Sequence, residues 1–182
     1  PKYEQEGHAP VKEVEHWFSL VDVHTKAATS EPMTICEIGF NAGHSAAAWT
    51  DRYPHARYIS FDVFNKNVSH VARAYLRTRN IRYVIGDTAK TLISEEFACD
   101  VISIDGDHSF RGAVTDLLNM QRHANPDHLL IVDDLSCKFW WCHQPTQAWE
   151  LMVSSGNVNA TECKNIGCCT GWCWGKYTRV NK

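Results

Sequence analysis

Val14, Trp17, Phe18 and Val21 recur at i, i+3, i+4 and i+7, the spacing of one helix face, and predict an amphipathic helix over residues 11–28. Ser30, Glu31 and Pro32 close it. Beyond that point short apolar runs alternate with helix-period segments. The runs predict strands at 33–38, 58–62, 82–85, 100–105 and 128–133, and the intervening segments predict helices at 44–52, 65–79, 88–94 and 110–123. A continuous apolar run bounded by turn residues is what a strand covered on both faces looks like. Strands that alternate with helices are joined by crossovers, so the pattern implies a mainly parallel, doubly wound α/β sheet. After a helix at 146–154 the pattern changes. Stretches 159–165 and 172–180 are β-rich, are separated by Gly167 and Gly171, and predict a terminal antiparallel strand pair.

The chain has 182 residues, 44% hydrophobic and 21% charged, enough for one sizeable core, so residues 1–182 are expected to form a single domain. A formal net charge of −3 gives no basic footprint and excludes nucleic acid as a natural partner. No apolar run has the length of a membrane span. The first residue is Pro1 rather than Met, which reads as a processed or excised segment whose targeting sequence is missing. Of eight cysteines, Cys137, Cys142, Cys163, Cys168, Cys169 and Cys173 crowd into the segment 137–182. Such crowding fits disulfides formed in an oxidising compartment; reduced buried thiols and zinc are the alternatives, although paired C-x2-C knuckles are absent. Cys36 and Cys99 fall on predicted strands and read as buried hydrophobes. With formal glycosylation acceptors at Asn67 and Asn159, the balance tilts toward a secretory lumen or extracellular location.

The chemistry concentrates where strands end. Val101-Ile-Ser-Ile-Asp105-Gly-Asp107-His108 and Leu129-Leu-Ile-Val-Asp133-Asp134 both run from buried strand into acid. An open α/β sheet binds ligands at the carboxyl ends of its strands. One acid there can be a turn or cap residue, and Asp107 or Ser109 suits the helix beginning at Phe110. Several acids together repel unless a cation or shared proton neutralises them, which points to a hard divalent cation. The first strand ends in Glu37-Ile-Gly39-Phe-Asn-Ala-Gly43-His-Ser45, a glycine turn into a helix N-terminus, without the G-x-G-x-x-G order of a dinucleotide site. Asp62 closes the second strand, where an acid can accept hydrogen bonds from a ribose, and Gly86-Asp87 closes the third.

Together these residues resemble the class I methyltransferases that use S-adenosylmethionine. More narrowly, residues 33–136 resemble the metal-dependent O-methyltransferases related to catechol O-methyltransferase and the macrolide-sugar O-methyltransferases. The resemblance implies a Rossmann-like fold. It also implies a cofactor site made of Glu37, Gly39, Gly43, Ser45, Asp62, Asp87 and Asp107, with Ser45 at the amino-acid end, Asp62 on the ribose and Asp87 near the adenine. Asp105, Asp133 and Asp134 match metal ligands, for Mg2+ or else Mn2+ or Ca2+, and His108 falls where relatives carry a catalytic base. The implied acceptor is a hydroxyl of a small molecule or glycan, a vicinal diol or catechol, chelated so that its pKa drops. Phe139-Trp140-Trp141-Cys142-His143 follows the metal acids and either walls the acceptor pocket or packs as core or lid. A non-catalytic cofactor-binding module and a metal-dependent hydrolase are the competing function classes.

Overall fold

The computed structural model describes residues 10–25, 32–166 and 169–180. Helix α1 (Val11–Thr25) opens the chain; the predicted residues 26–28 of this helix and its Ser30-Glu31 stop lie outside the described residues. Then follow β1 (Thr34–Ile38), α2 (His44–Arg52), β2 (Arg57–Asp62), α3 (Asn67–Tyr75), β3 (Ile81–Ile85), α4 (Thr88–Ser94), β4 (Cys99–Ile104), α5 (Phe110–Gln121) and β5 (Ala124–Val132). A 3-10 turn at Trp140–Cys142 leads into α6 (His143–Ser154), and β6 (Val158–Asn165) and β7 (Gly171–Tyr177) complete the sheet. Each predicted element is present. α3 is shorter than its apolar pattern, β5 begins before Pro126, and α6 starts earlier than Thr146.

The strands lie in the order β3-β2-β1-β4-β5-β7-β6. Pairing is parallel from β3 through β5 and antiparallel for β5–β7 and β7–β6, the expected terminal pair. Alternate strand residues face opposite sides, and each side has its own helices. On one, Trp17 and Val21 of α1, Trp49 of α2 and Leu76 just after α3 cover Ile35, Tyr58, Val101, Ile131, Trp172 and Trp174. On the other, Leu92 of α4, Leu117 of α5 and Trp149 of α6 cover Ile38, Phe61, Ile102, Ile104 and Leu130. This is a Rossmann-like, doubly wound sheet, and its order reverses between β1 and β4, so the loops after those strands part and leave a crevice.

The cysteines divide differently from the sequence expectation. Cys137–Cys142 and Cys163–Cys173 are disulfides, as the late clustering suggested. Cys36 and Cys99 are fully buried as expected but are bonded to each other, not reduced hydrophobes. Their strands are neighbours in the sheet although the two residues are 63 apart in sequence. The oxidised cysteines agree with an oxidising environment. No helix among the described residues is long and apolar enough to cross a membrane.

Candidate active site

Backbone hydrogen bonds carry the sheet ladder one residue past the strands and fix where the site residues begin. Gly39 N–H donates to Phe61 C=O, Asp105 N–H to Ile38 C=O, and Asp133 N–H to Ile104 C=O. Gly86 N–H donates to Asp62 C=O on the far side. The carboxyl ends of five parallel strands are thereby held at one level. Above them lies a cavity of about 860 Å3, whose lining includes Gly39, Asp62, Asp87, Asp105, Asp107 and His108, with Asp133 and Asp134. A smaller space of about 30 Å3 adjoins it, bounded by Trp17, Glu37, Ser45, Asp105 and Asp133.

The β1–α2 loop is pressed against Asp105. A Cβ at Gly39 would stand 1.8 Å from the Asp105 carbonyl oxygen, and its φ of +97° lies where side chains are strained, so only glycine fits. Gly43, also at positive φ, is buried as the N-cap of α2 and lines neither space. Glu37 is buried beneath this loop. Ser45 Oγ donates to its Oε1 and Ser60 Oγ to its Oε2 at 3.2 Å, yet loss of water outweighs both bonds and pushes the carboxyl up to about 7. A buried carboxylate with this little compensation is complementary to a ligand cation. Asp62 has a structural task as well. Its Oδ2 accepts from Phe40 and Asn41 N–H at 2.9 and 3.0 Å, and its Oδ1 from Phe64 N–H at 2.5 Å, which pins the glycine loop to the end of β2. Asp87 caps α4 by accepting from Ala89 N–H, and Asp107 accepts from Ser109 at the start of α5; both still face the cavity.

At the other end of the crevice the structure brings together Asp105, His108 and Asp134. One ligand atom from each lies within 4.8 Å of the others. His108 Nε2 is 3.2 Å from Asp105 Oδ1 and from Asp134 Oδ2, and the hydrogen bond to Asp105 leads in raising the imidazole above its usual value. Burial, then the Asp105 charge, pushes Asp134 up to about 6, and Trp141 gives it a hydrogen bond. Asp134 holds a left-handed backbone, φ +52°, a strained conformation that Asp tolerates better than most residues.

Asp133, the third expected ligand, lines the same cavity but is not one of the three residues whose ligand atoms lie within 4.8 Å of one another. It follows the last residue of β5 and precedes the left-handed turn at Asp134. Asp133 Oδ1 accepts from Asp134 N–H, and its carboxyl lies within hydrogen-bond reach of Glu13 on α1. Two acids with no donor between them must share a proton or a cation, and both are raised, mainly by burial.

Glu13 is absent from the sequence reading, as is Asp116 of α5. Asp116 is buried, accepts from Thr88 Oγ1 at 2.5 Å, and closes the cavity behind Gly106, where a Cβ would meet its Oδ2 at 2.5 Å. A charged residue four before Trp17, in line with it on the buried helix face, was the available signal for Glu13; Asp116 carried the same signal four residues before Met120. Beside Asp134, Phe139 stacks on Trp141 with ring centroids 4.3 Å apart, and Trp140, 77% exposed, projects from the disulfide-closed loop.

A methyltransferase-domain family model matches residues 36–135, the segment that spans the glycine loop and the strand-end acids. Comparison with curated proteins gives no match. Among solved structures, cofactor-bound Rv0187 from MTB superposes with a TM-score of 0.76 at 18% identity, covering 97% of this chain and 84% of that one. A Podospora anserina methyltransferase bound to S-adenosylhomocysteine gives 0.66 at 16% identity over 97% and 92%. The TDP-rhamnose 3'-O-methyltransferase of calicheamicin biosynthesis gives 0.66 at 13% identity over 93% and 82%. At these identities the likeness is one of fold.

Proposed function

The chain belongs to the methyltransferase-domain family, and on that premise we propose that it is an S-adenosylmethionine-dependent O-methyltransferase whose acceptor hydroxyl is held by a divalent cation. The observation that carries this reading is the position of the Asp105–His108–Asp134 group on the same cavity as the glycine loop. A cofactor on that loop would therefore face whatever the acids hold. Among the similar structures, one is named for methylating a sugar hydroxyl, which supports a small-molecule or sugar acceptor with neighbouring hydroxyls.

The residues fit both groups. Glu37 is a buried carboxylate suited to the cofactor's ammonium, the α2 N-terminus offers N–H groups to its carboxylate, and Asp87, on the cavity wall, would serve the adenine end. Asp62 keeps one lone-pair direction beyond its three backbone donors, enough for a ribose hydroxyl. Asp105, Asp134 and Asp133 would hold the cation. Carboxylate oxygens with an imidazole at hand suit Mg2+ and, if His108 also ligates, Mn2+. When bound, the cofactor supplies an electrophilic methyl group and the cation lowers the acceptor hydroxyl's pKa.

The chain's own part is positional and protonic. The close fit of Gly39 against Asp105 fixes the distance between the two halves of the site, which is where orientation contributes to rate. His108, made more basic by Asp105 and Asp134, is the base for the acceptor's hydroxyl proton, and its Nε2 takes that proton only once it gives up its hydrogen bonds to those carboxylates. Phe139 and Trp141 offer a flat wall to a ring beside Asp134.

Calorimetry with S-adenosylmethionine, followed by transfer assays from labelled cofactor to a panel of catechols, vicinal diols and nucleotide sugars with and without EDTA, tests the proposal. Cofactor binding and EDTA-sensitive transfer to one acceptor class are expected. Binding without transfer to any acceptor would favour a cofactor-binding module, and hydrolysis without cofactor binding would favour a hydrolase.

A further inference from the structure

Glu13 is a fully buried acid that the proposed chemistry does not use. It lies in the first turn of α1, is 0% exposed, and has no hydrogen-bond donor on either carboxylate oxygen. A buried acid normally collects hydroxyl or N–H partners, as Glu37 does from Ser45 and Ser60. Glu13 instead faces another acid, Asp133, with Asp105 and Asp134 close enough for their charges to act on it. One turn on, Trp17 faces the same sheet edge with its indole N–H buried and unpartnered, at the wall of the small space it shares with Asp105 and Asp133. The one imidazole here, His108, pairs with Asp105 and Asp134. Glu13 and Asp133 lie against each other, and the groups that act on either are acids. Two acids held together away from water must share a proton or take a counter-ion.

We propose that Glu13 is a further carboxylate of the cation site, paired with Asp133, so that cation binding fastens α1 to the carboxyl edge of the sheet. This rests on the cation reading given above and extends it to a helix outside the segment matched by the family model. The cation site then has two halves: Asp105 and Asp134, contributed by the sheet-edge loops with His108 beside them, and the Asp133–Glu13 pair, which reaches back to α1. Loading the site therefore does more than prepare an acceptor hydroxyl. It fixes the helix whose Trp17 borders the space beside Glu37 and Ser45, and so couples the metal half of the crevice to the cofactor half.

The test uses the full chain and Mn2+ as the probe. Mn2+ affinity is measured by calorimetry or electron paramagnetic resonance on wild type and Glu13→Gln, with S-adenosylhomocysteine affinity as control and backbone hydrogen exchange of residues 11–25 followed with and without Mn2+. The expected result is a Mn2+ affinity at least about tenfold weaker in Glu13→Gln, an unchanged S-adenosylhomocysteine affinity measured without metal, and α1 protection that rises with Mn2+ only in wild type. Glutamine can still donate a hydrogen bond to Asp133, so a purely structural carboxyl pair predicts equal Mn2+ affinity in both proteins, and that result overturns the proposal while leaving the cation reading intact. No Mn2+ binding by wild type overturns both. The exchange measurement on wild type needs no variant, so failure of Glu13→Gln to fold does not remove the test: Mn2+ binding that leaves α1 exchange unaltered also counts against it.

Discussion

Replacing Glu37 by Gln should move stability and cofactor affinity in opposite directions. Burial raises the Glu37 carboxyl from an ordinary 4.5 to about 7 against the help of Ser45 and Ser60. Below the lower value the group is neutral in both folded and unfolded chains. Between the two values the folded state holds more protons than the unfolded one, so stability falls as pH rises through that window and levels off above it. The shift corresponds to about 3 kcal/mol of folding free energy at about pH 8, an upper figure for a single buried acid. Glutamine carries no charge to bury. The ligand-free variant should therefore lose this part of the pH slope and, near pH 8, be more stable than wild type by about 1 to 3 kcal/mol, less whatever its amide N–H groups lose by lacking acceptors. Cofactor affinity should fall by about tenfold to a hundredfold, because a neutral acceptor replaces a charged one opposite the ammonium. Urea unfolding across pH gives the first quantity and calorimetry with S-adenosylhomocysteine the second. A variant less stable than wild type at every pH, with unchanged affinity, would refute the reasoning. Glu37 would then be a structural acid held by its two serines and not a charge kept for the ligand.

Gly39→Ala places a Cβ 1.8 Å from the Asp105 carbonyl oxygen at a positive φ, and should cost more than about 2 kcal/mol in urea unfolding while weakening cofactor and metal binding together, since both loops must shift. His108→Ala should leave S-adenosylhomocysteine affinity within about twofold and lower turnover by roughly 10² to 10⁴, the usual contribution of a positioned base. Wild-type turnover across pH in the same assay distinguishes a base from a residue that only holds Asp105 in place. In denaturant without reductant, Cys36 and Cys99 should resist alkylation, and breaking their bond by paired alanine substitution should cost about 4 kcal/mol from the length of the loop it closes. Labelling of both thiols in the unreduced chain would remove the bond and that part of the oxidising-compartment reading.

The strands and helices were legible because buried parallel strands write themselves as apolar runs, and the acids at their ends mark the edge where the chain turns. What stayed hidden depended on neighbours distant in sequence. Asp105, Asp133 and Asp134 are alike as letters, and only the turn after β5, left-handed at Asp134, sets Asp133 against Glu13 of α1 and Asp134 beside His108. Glu13 has no apolar letter to place it with Val14, Trp17, Phe18 and Val21, and only its spacing, four residues before Trp17, puts it on the side that packs against the sheet. Cys36 and Cys99 looked inert because their pairing requires β1 beside β4, a consequence of the strand order that no local pattern records. Asp62 was legible as a strand-end acid at the ribose position, but its three backbone donors belong to a turn that glycine spacing alone does not draw.

The place of β7 bears on how the molecule is made. It lies between β5 and β6, although it follows both in sequence, so during synthesis β6 emerges with no strand to pair with and β5 keeps an open edge until residues 171–177 are out. β7 also holds the first half of α1: Trp172 Nε1 donates to His16 Nδ1 at 3.0 Å, and the His16 ring lies 4.9 Å from that of Trp174. Part of α1 thus waits for a strand translated after it, and a nascent chain stopped before Gly171 leaves that part of its aromatic face uncovered even where α2 and β5 already hold the helix. Quality control that samples such a chain sees an exposed strand edge and an unburied aromatic helix face, and both disappear in one event when β7 slides into its gap.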